Sequence, residues 1–372
     1  MPNLDKYSLE NADIRQGTKV LVRVDFNIPD PVTEKSVRFQ EALKTIEYLR
    51  DKGARIALIS HRGSDGSKTL APLVSLLVKY LPTHLVSTPN ELKNEVEKIH
   101  SGECVILENI RQNPGEEKND PALAAVLTDG FDIFINEAFP VSHRAHASVV
   151  GVAQLLPSYL GFRMMREIAE LLGVRENPPH PFLFISGGAK IATKVPLLKT
   201  FFDTADTVYV AGALANTFFK ARGLEVGVSL AENPELATDF LSKTNLVLPT
   251  DMYVYNDTGN HLTTPETVSP GDNIVDIGPE SLKNLENLCQ KAALVVWNGP
   301  LGKSGFDDGT IKLLDILTKV SGKTVIGGGD TLELIERQNT LLKYSFVSTG
   351  GGATLDFLAS GTLPGIEAVI KS

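Results

Sequence analysis

Residues 181–194 read PFLFISGGAKIATK, an apolar run that breaks at two glycines and resumes as a helix-like pattern. The spacing predicts strand, glycine turn, helix. Such a turn lets backbone N–H groups at a helix start face an anion, since glycine permits close approach and the helix dipole favours negative charge. Lys190 and Lys194 stand four apart; with the helix begun at Lys190, both ammonium groups share one face and could hold adjacent phosphates. The plainer reading is a glycine turn with two solvated lysines.

The same alternation of strand and helix runs outward in both directions. Before the turn, strands are predicted at 19–26, 54–60, 84–87, 103–108 and 131–138, with helices at 41–52, 72–80 and 159–174 among the links. After it, strands are predicted at 181–186, 207–211, 245–248, 294–297, 323–326 and 344–347. Apolar strands interleaved with helices make parallel, two-sided sheets, so the fold class is α/β with two Rossmann-like domains. At 372 residues the chain exceeds what one core supports. Prolines at three of the five positions 177–181 forbid helix continuation, and the boundary is placed there. The expected division is 1–158 with a C-terminal tail at 361–372, a hinge helix at 159–176, and 177–360.

Hydrophobic content of 42% and charged content of 22% describe an ordinary globular chain. A net charge of −9 argues against a general nucleic-acid or membrane-surface binder, so any anion site must be local. Cys104 and Cys289 are too far apart in sequence to suggest a metal or disulfide framework. With no basic-then-apolar leader in MPNLDKYSLE, the expected location is the cytoplasm.

In open α/β sheets, ligands bind beyond the carboxyl ends of the strands. In the first half those positions hold Asp25, Asn27, His61, Arg62, Asn109, Arg111, His143, Arg144 and His146, with Arg38 opening the first helix. A single such arginine is usually a salt-bridge partner. Several at successive strand ends suggest a pocket for a small, multiply anionic substrate. HRAH at 143–146 lacks nearby carboxylates or cysteines, so zinc is the weaker reading. In the second half the strand ends are glycine loops, at 186–190, 298–302, 327–331 and 348–354, which suggest a nucleotide. Asp330 after three glycines suits a Mg²⁺ bridging phosphate oxygens, or else caps the next helix. Gly302-Lys303-Ser304 and Gly322-Lys323-Thr324 are not P-loops, because Trp297 and Leu317 stand where the first glycine is required. A cationic pocket and a Mg-nucleotide site together call for phosphoryl transfer, in which alignment and charge neutralisation matter more than a protein nucleophile. Arg38 and Lys190 are the candidates for that neutralisation.

VRVDFNIP at 22–29, ENIR at 108–111, HRAHAS at 143–148, GGAK with Lys194, VWNGP at 296–300, GGGDT and STGGGA form an ordered series. Over essentially the whole chain it resembles the phosphoglycerate kinases. The resemblance implies two domains joined by a hinge that close on the substrates, a tail returning to the first domain, and a cytoplasmic monomer with no nucleic-acid or membrane partner. It implies reversible, Mg²⁺-dependent transfer between 1,3-bisphosphoglycerate with ADP and 3-phosphoglycerate with ATP. It assigns Asp25, Phe26, Asn27, Arg38, His61, Arg62, Gly63, Ser64, Arg111 and Arg144 to phosphoglycerate. To the nucleotide it assigns Gly188, Ala189, Lys190, Lys194, Asn298, Pro300, Gly305, Gly328, Gly329, Asp330 and Thr331, with Asp330 as metal ligand and with Arg38 and Lys190 catalytic. The chain departs from the family pattern at Ser64, normally arginine, leaving Arg62 to reach round, and at Glu137 and Pro140-Val141-Ser142 on the substrate side. On the nucleotide side, Thr193 replaces an aspartate, Ala211-Gly212-Ala213 a triple glycine, and Ser304-Gly305 a Phe-Glu whose glutamate would bind the ribose hydroxyls; Asp307 or Asp308 could substitute. The alternative function is a catalytically impaired nucleotide- or sugar-phosphate-binding protein of the same fold.

Overall fold

Strands that carry apolar residues on both faces need cover on both faces, and here helices supply it. The computed structural model describes residues 4–372. One compact unit runs to Leu172 and takes in Ser360–Ser372; the other is Gly173–Ala359. In the first, strands β1 (Lys19–Arg23), β2 (Arg55–Ile59), β3 (Thr83–Val86), β4 (Cys104–Leu107), β5 (Ile133–Asn136) and β6 (Ser158–Leu160) form one sheet in the order β3-β4-β2-β1-β5-β6. Every pairing is parallel. Helices α1 (Val37–Asp51), α2 (Ala71–Leu77), α3 (Pro89–Lys98), α4 (Pro121–Thr128) and α5 (Phe162–Glu176) link or follow these strands. Val20, Val22, Ile56, Leu58 and Ile106 are fully buried beside Phe39 and Ile46 of α1. At about 25 cal/mol per Å² such burial is the main stabilising term.

The second unit contains β7 (Phe182–Ser186), β8 (Thr207–Val210), β9 (Leu246–Val247), β10 (Met252–Asn256), β11 (Gly259–Thr263), β12 (Asn273–Ile277), β13 (Leu294–Asn298), β14 (Lys323–Gly327) and β15 (Phe346–Val347). Six of them form a parallel sheet, ordered β15-β14-β13-β7-β8-β9. Its helices are α6 (Ile191–Thr204), α7 (Gly212–Ala221), α8 (Glu235–Thr238), α9 (Pro279–Lys291), α10 (Asp308–Leu317), α11 (Gly329–Gln338) and α12 (Gly352–Ser360), while α13 (Pro364–Ile370) packs in the first unit. The two predicted six-strand α/β sheets are thus present. The antiparallel sheet β11-β10-β12 was not expected from the sequence. Among the described residues, no helix is long and apolar enough to cross a membrane.

The helix expected from residue 159 begins instead at Phe162, because Ser158–Leu160 pairs with β5. Its start is held by Glu137, whose Oε1 accepts from the Arg163 N–H at 2.9 Å and the Thr45 hydroxyl at 3.0 Å. The Phe162 N–H reaches Thr45 Oγ1 at 3.3 Å. A Cβ at Gly161 would come within 1.7 Å of Glu137 Oε2, so any side chain there would displace the Glu137 carboxyl from these contacts. Glu137, one of the departures from the family pattern on the substrate side, thus anchors the start of α5. Ser142 is likewise structural: its carbonyl accepts from the Gly365 N–H at 2.8 Å and its hydroxyl donates to the Ala138 carbonyl at 2.9 Å.

Burial pushes the Glu137 carboxyl up to about 8 from its ordinary 4.5, against the lowering by its hydrogen bonds and Arg163. The folded state then binds the extra proton, so this contribution is complete below pH 4.5 and is lost as pH rises through about 8. We expect a stability slope of at most about −1.4 kcal/mol per pH unit in that window, absent in Glu137→Gln. Urea midpoints from pH 5 to 9 check this, and parallel curves for the two proteins would refute it.

Candidate functional site

The first half-site lies where β1, β2, β4 and β5 end. Arg38 falls in the first turn of α1, where the helix dipole disfavours a cation by about 0.3–1 kcal/mol. It is offset there by an ion pair to Asp25, whose side chain is only 7% exposed. Asn27 Oδ1 accepts from the Gly63 N–H at 2.9 Å and so ties the loop after β1 to the loop after β2. Arg111 is held by the Ser64 carbonyl at 2.8 Å and by Glu117 at 3.2 Å. Its buried Nε has no partner among the described residues. Arg144 is exposed, with Nε 3.1 Å from His143 Nε2.

His61 reports how closely these charges converge. It is 4% exposed, and burial followed by the charges of Arg23, Arg111, Arg38 and Arg144 pushes it down to about 2. Burial and the surrounding guanidinium charges thus favour the neutral ring. Four guanidinium groups stand around one imidazole, three of them met by carboxylates: Arg38 by Asp25, Arg111 by Glu117 and, through Ser148, Arg23 by Glu116. The exposed Arg144 and the unspent Arg111 Nε leave a patch that favours an anionic ligand.

Three expected contacts are not where the sequence reading put them. Phe26 is fully buried and stacks on Phe39 at 5.9 Å, and its N–H is taken by Ser60 Oγ at 2.9 Å. It is core. Arg62 does not reach round to replace an arginine at Ser64: buried to 2%, it donates to the Ile28 carbonyl at 3.1 Å and the Thr69 carbonyl at 3.0 Å, and pairs with Asp30. Asn109 is also a clasp, donating to the carbonyls of Arg62 at 2.7 Å and Lys68 at 2.8 Å.

The second half-site is built from interlocked glycine loops. The Gly187 N–H donates to the Asn298 carbonyl at 2.9 Å, the Gly188 N–H to the Pro300 carbonyl at 2.8 Å, and the Leu214 N–H to the Gly188 carbonyl at 2.7 Å. A Cβ on Gly187 would sit 2.2 Å from the Pro300 oxygen, so no other residue fits. Lys194 lies beneath this knot, 6% exposed, donating to the carbonyl of Gly187 and, at 3.4 Å, to that of Asn298. Burial alone lowers it to about 8. Lys190 is exposed and is the cap residue just before α6. The two lysines therefore do not share a helical face, because the helix begins one residue too late.

Three polar atoms at these strand ends are buried without a partner among the described residues: Ser186 Oγ, Asn298 Nδ2 and Thr331 Oγ1. Buried groups of this kind cost about 1–3 kcal/mol each unless a ligand satisfies them. Gly328, with φ of +115°, turns the chain into α11, placing Gly329, Asp330 and Thr331 in its first turn. A cleft of about 450 Å³ opens beside the loops, floored by Gly188, Ala189, Gly212 and Asn216 and walled by Met252, Ile274 and Pro300. A smaller one of about 200 Å³ is bounded by Asp307, Glu333 and Arg337, and Pro300, Ser304 and Asp330 line both. Gly305 lines neither; it has φ of +88° and open space around it. The outer wall comes from β10 and β12, which the sequence reading missed. The alternation in 252–256 with the two-residue turn at Asp257-Thr258 was the available hairpin signal.

No group of three or more His, Cys, Asp or Glu side chains could hold a metal among the described residues. A single exposed carboxylate, Asp330, beside free helix-start amides nevertheless fits Mg²⁺, which keeps most of its waters and takes one or two carboxylates plus substrate phosphates.

Comparison with known proteins agrees with this geometry. A family model described as phosphoglycerate kinase matches residues 9–361. Phosphoglycerate kinase of Borreliella burgdorferi is 38% identical over 95% of this chain and 96% of its own, and that of Coprothermobacter proteolyticus 37% identical over 98% of each. Among solved structures, phosphoglycerate kinase from Coxiella burnetii is similar with TM-score 0.80 at 31% identity, and that from Pyrococcus horikoshii OT3 with 0.84 at 25%, each covering 98% of both chains.

Proposed function

The chain belongs to the phosphoglycerate kinase family, and from that premise we propose how its residues divide the work of reversible phosphoryl transfer between 1,3-bisphosphoglycerate and ADP. The observations that carry this reading are the four arginines around His61 in one unit and, in the other, glycine loops with buried, unpartnered polar atoms at their strand ends. In the ATP-forming direction a terminal ADP oxygen attacks the acyl phosphorus. The bond from phosphorus to the C1 oxygen breaks, and its electrons leave on the carboxylate of 3-phosphoglycerate. No proton need move. The protein's task is to align two anions and to spread charge from the transferring oxygens.

Arg111, Arg144 and the His61 Nε2–H hold the phosphoglycerate, while Arg38 meets the charge that develops on the transferring group. Asp25 keeps the Arg38 guanidinium in a fixed plane through their ion pair. On the nucleotide side the apolar cleft takes the base. The Gly188 and Ala189 loop, Asn298, Thr331 and the start of α11 take phosphates. Lys190, exposed, neutralises the terminal phosphate. Lys194 gives up its carbonyl contacts to a phosphate, which would restore its charge preference. Asp330 would hold Mg²⁺, which supplies Lewis-acid neutralisation of the phosphate oxygens. Each half-site draws all its groups from one chain, so the reaction calls for no second copy, and two buried free cysteines, Cys104 and Cys289, suit a reducing cytoplasm.

A coupled assay of ATP- and Mg²⁺-dependent phosphorylation of 3-phosphoglycerate tests the reading, and no turnover at saturating substrates would overturn it. The ribose contact gives a finer test. Gly305 cannot bind hydroxyls, so 2′-deoxy-ATP should support turnover within about threefold of ATP, a difference below the worth of one hydrogen bond. Gly305→Glu should gain nothing, because its φ of +88° strains any side chain. A large penalty for the deoxy nucleotide would instead assign the contact to Asp307, which lines the smaller cleft.

A further inference from the structure

Beneath the cationic patch lies a polar cluster that the reaction scheme leaves without a part. Arg23, the last residue of β1, is 1% exposed. A charge buried this deeply loses its hydration and must be compensated through its hydrogen bonds. Its Nε donates to Ser148 Oγ at 2.9 Å, and one terminal nitrogen donates to the Val24 carbonyl at 2.7 Å. Ser148 Oγ in turn donates to Glu116 Oε1 at 2.6 Å, and the Ser148 N–H donates to Oε2 at 2.9 Å. Glu116 is fully buried, so the countercharge reaches Arg23 through a hydroxyl. The remaining terminal nitrogen of Arg23 lies 3.2 Å from His61 Nδ1.

That last contact has only one chemical form. A guanidinium donates and never accepts, so Nδ1 must offer its lone pair. A proton on Nδ1 would set N–H against N–H. In a neutral imidazole the proton then sits on Nε2. The charged groups facing the ring are Arg23 from β1, Arg38 from α1, Arg111 from the turn after β4 and Arg144 from the loop after β5. Asp25, Glu116 and His146, the last 3.7 Å from Glu116, complete the cluster.

We infer that Arg23 is a positioning residue that locks His61 as the neutral Nε2–H tautomer, giving the patch one uncharged donor among its arginines. The use of that donor rests on the patch binding phosphoglycerate; the tautomer itself does not. An uncharged donor of fixed direction distinguishes an oxygen that accepts at that point from mere negative charge. It also removes histidine titration from the pH dependence of substrate binding.

The test is ring-nitrogen NMR on the whole protein labelled with ¹⁵N-histidine, between pH 5.5 and 8, with and without 3-phosphoglycerate. His61 should show a protonated Nε2 and a bare Nδ1 throughout. A proton on Nδ1, or a titration centred near the ordinary 6.5, overturns the inference. Arg23→Met should give mixed tautomers and raise the KM for 3-phosphoglycerate about tenfold, as expected for one hydrogen bond, with a smaller change in kcat. Arg23→Lys still donates and should restore both the tautomer and most of the KM. If Arg23→Met folds and keeps tautomer and KM alike, the inference fails. If the tautomer is as stated and 3-phosphoglycerate leaves the His61 signals unmoved, the substrate reading of the patch fails and the role of Arg23 stands.

Discussion

Arg38→Ala should lower kcat on the order of 10²–10³-fold, the usual loss for one preorganised donor aimed at transition-state charge, while nucleotide affinity measured alone hardly changes. The guanidinium sits where helix geometry disfavours it, in the first turn of α1, and its partner Asp25 is nearly buried. A residue placed for stability would be expected at the other end of the helix. Because the loss falls on charge stabilised mainly in the transition state, kcat and kcat/KM should drop together. Arg38→Lys should recover only part, since an ammonium lacks the planar fork. Removing Arg38 also strands the Asp25 carboxylate, so Asp25→Asn and the double variant complete a cycle that separates pairing from catalysis. A kcat near wild type in both single Arg38 variants would remove Arg38 from the mechanism.

Asp330→Ala should cost at least about 10²-fold in turnover at millimolar Mg²⁺, in keeping with the several kcal/mol a metal supplies to phosphate charge. Asp330 is exposed in the first turn of α11, so its removal buries no charge and opens no cavity. The stability cost should be only the lost helix-dipole term, about 0.3–1 kcal/mol. Melting temperature and rate measured together, over a Mg²⁺ titration, distinguish a metal ligand from a capping residue. The ligand variant loses rate and shifts its Mg²⁺ dependence, with Tm almost unchanged. A variant that loses Tm and keeps its rate would make Asp330 a cap.

The sheets were legible because period-free apolar strands such as FLFIS at 182–186 and LVVWN at 294–298 can only be buried on both faces. The glycine loops were legible because their spacing fixes backbone approach. Side-chain direction was not. Arg62 and Arg111 look alike in sequence, yet Arg62 turns inward to backbone carbonyls while Arg111 keeps a donor unspent. The i, i+4 pairing of Lys190 and Lys194 failed on a single residue of helix start, a boundary that propensity fixes only to within a residue or two. Glu137 shows a related limit: its sequence neighbours are residues at the end of β5, whereas its partners, Thr45 and Arg163, are distant in the chain.

The attachment of α13 has a consequence for how the chain is made. Asn136 Nδ2 donates to the Gly365 carbonyl at 3.4 Å, the Gly365 N–H donates to the Ser142 carbonyl at 2.8 Å, and the Tyr7 hydroxyl donates to the Ile370 carbonyl at 2.8 Å. The unit whose sheet is made before the other's is therefore closed by residues made after the whole of that other unit. The unit spanning Gly173–Ala359 is one continuous stretch and can finish folding while the earlier one still lacks its final helix. A nascent chain halted before Pro364 would hold a completed second unit and a first unit still lacking α13, so a break just before Pro364 would be felt in the unit made earlier.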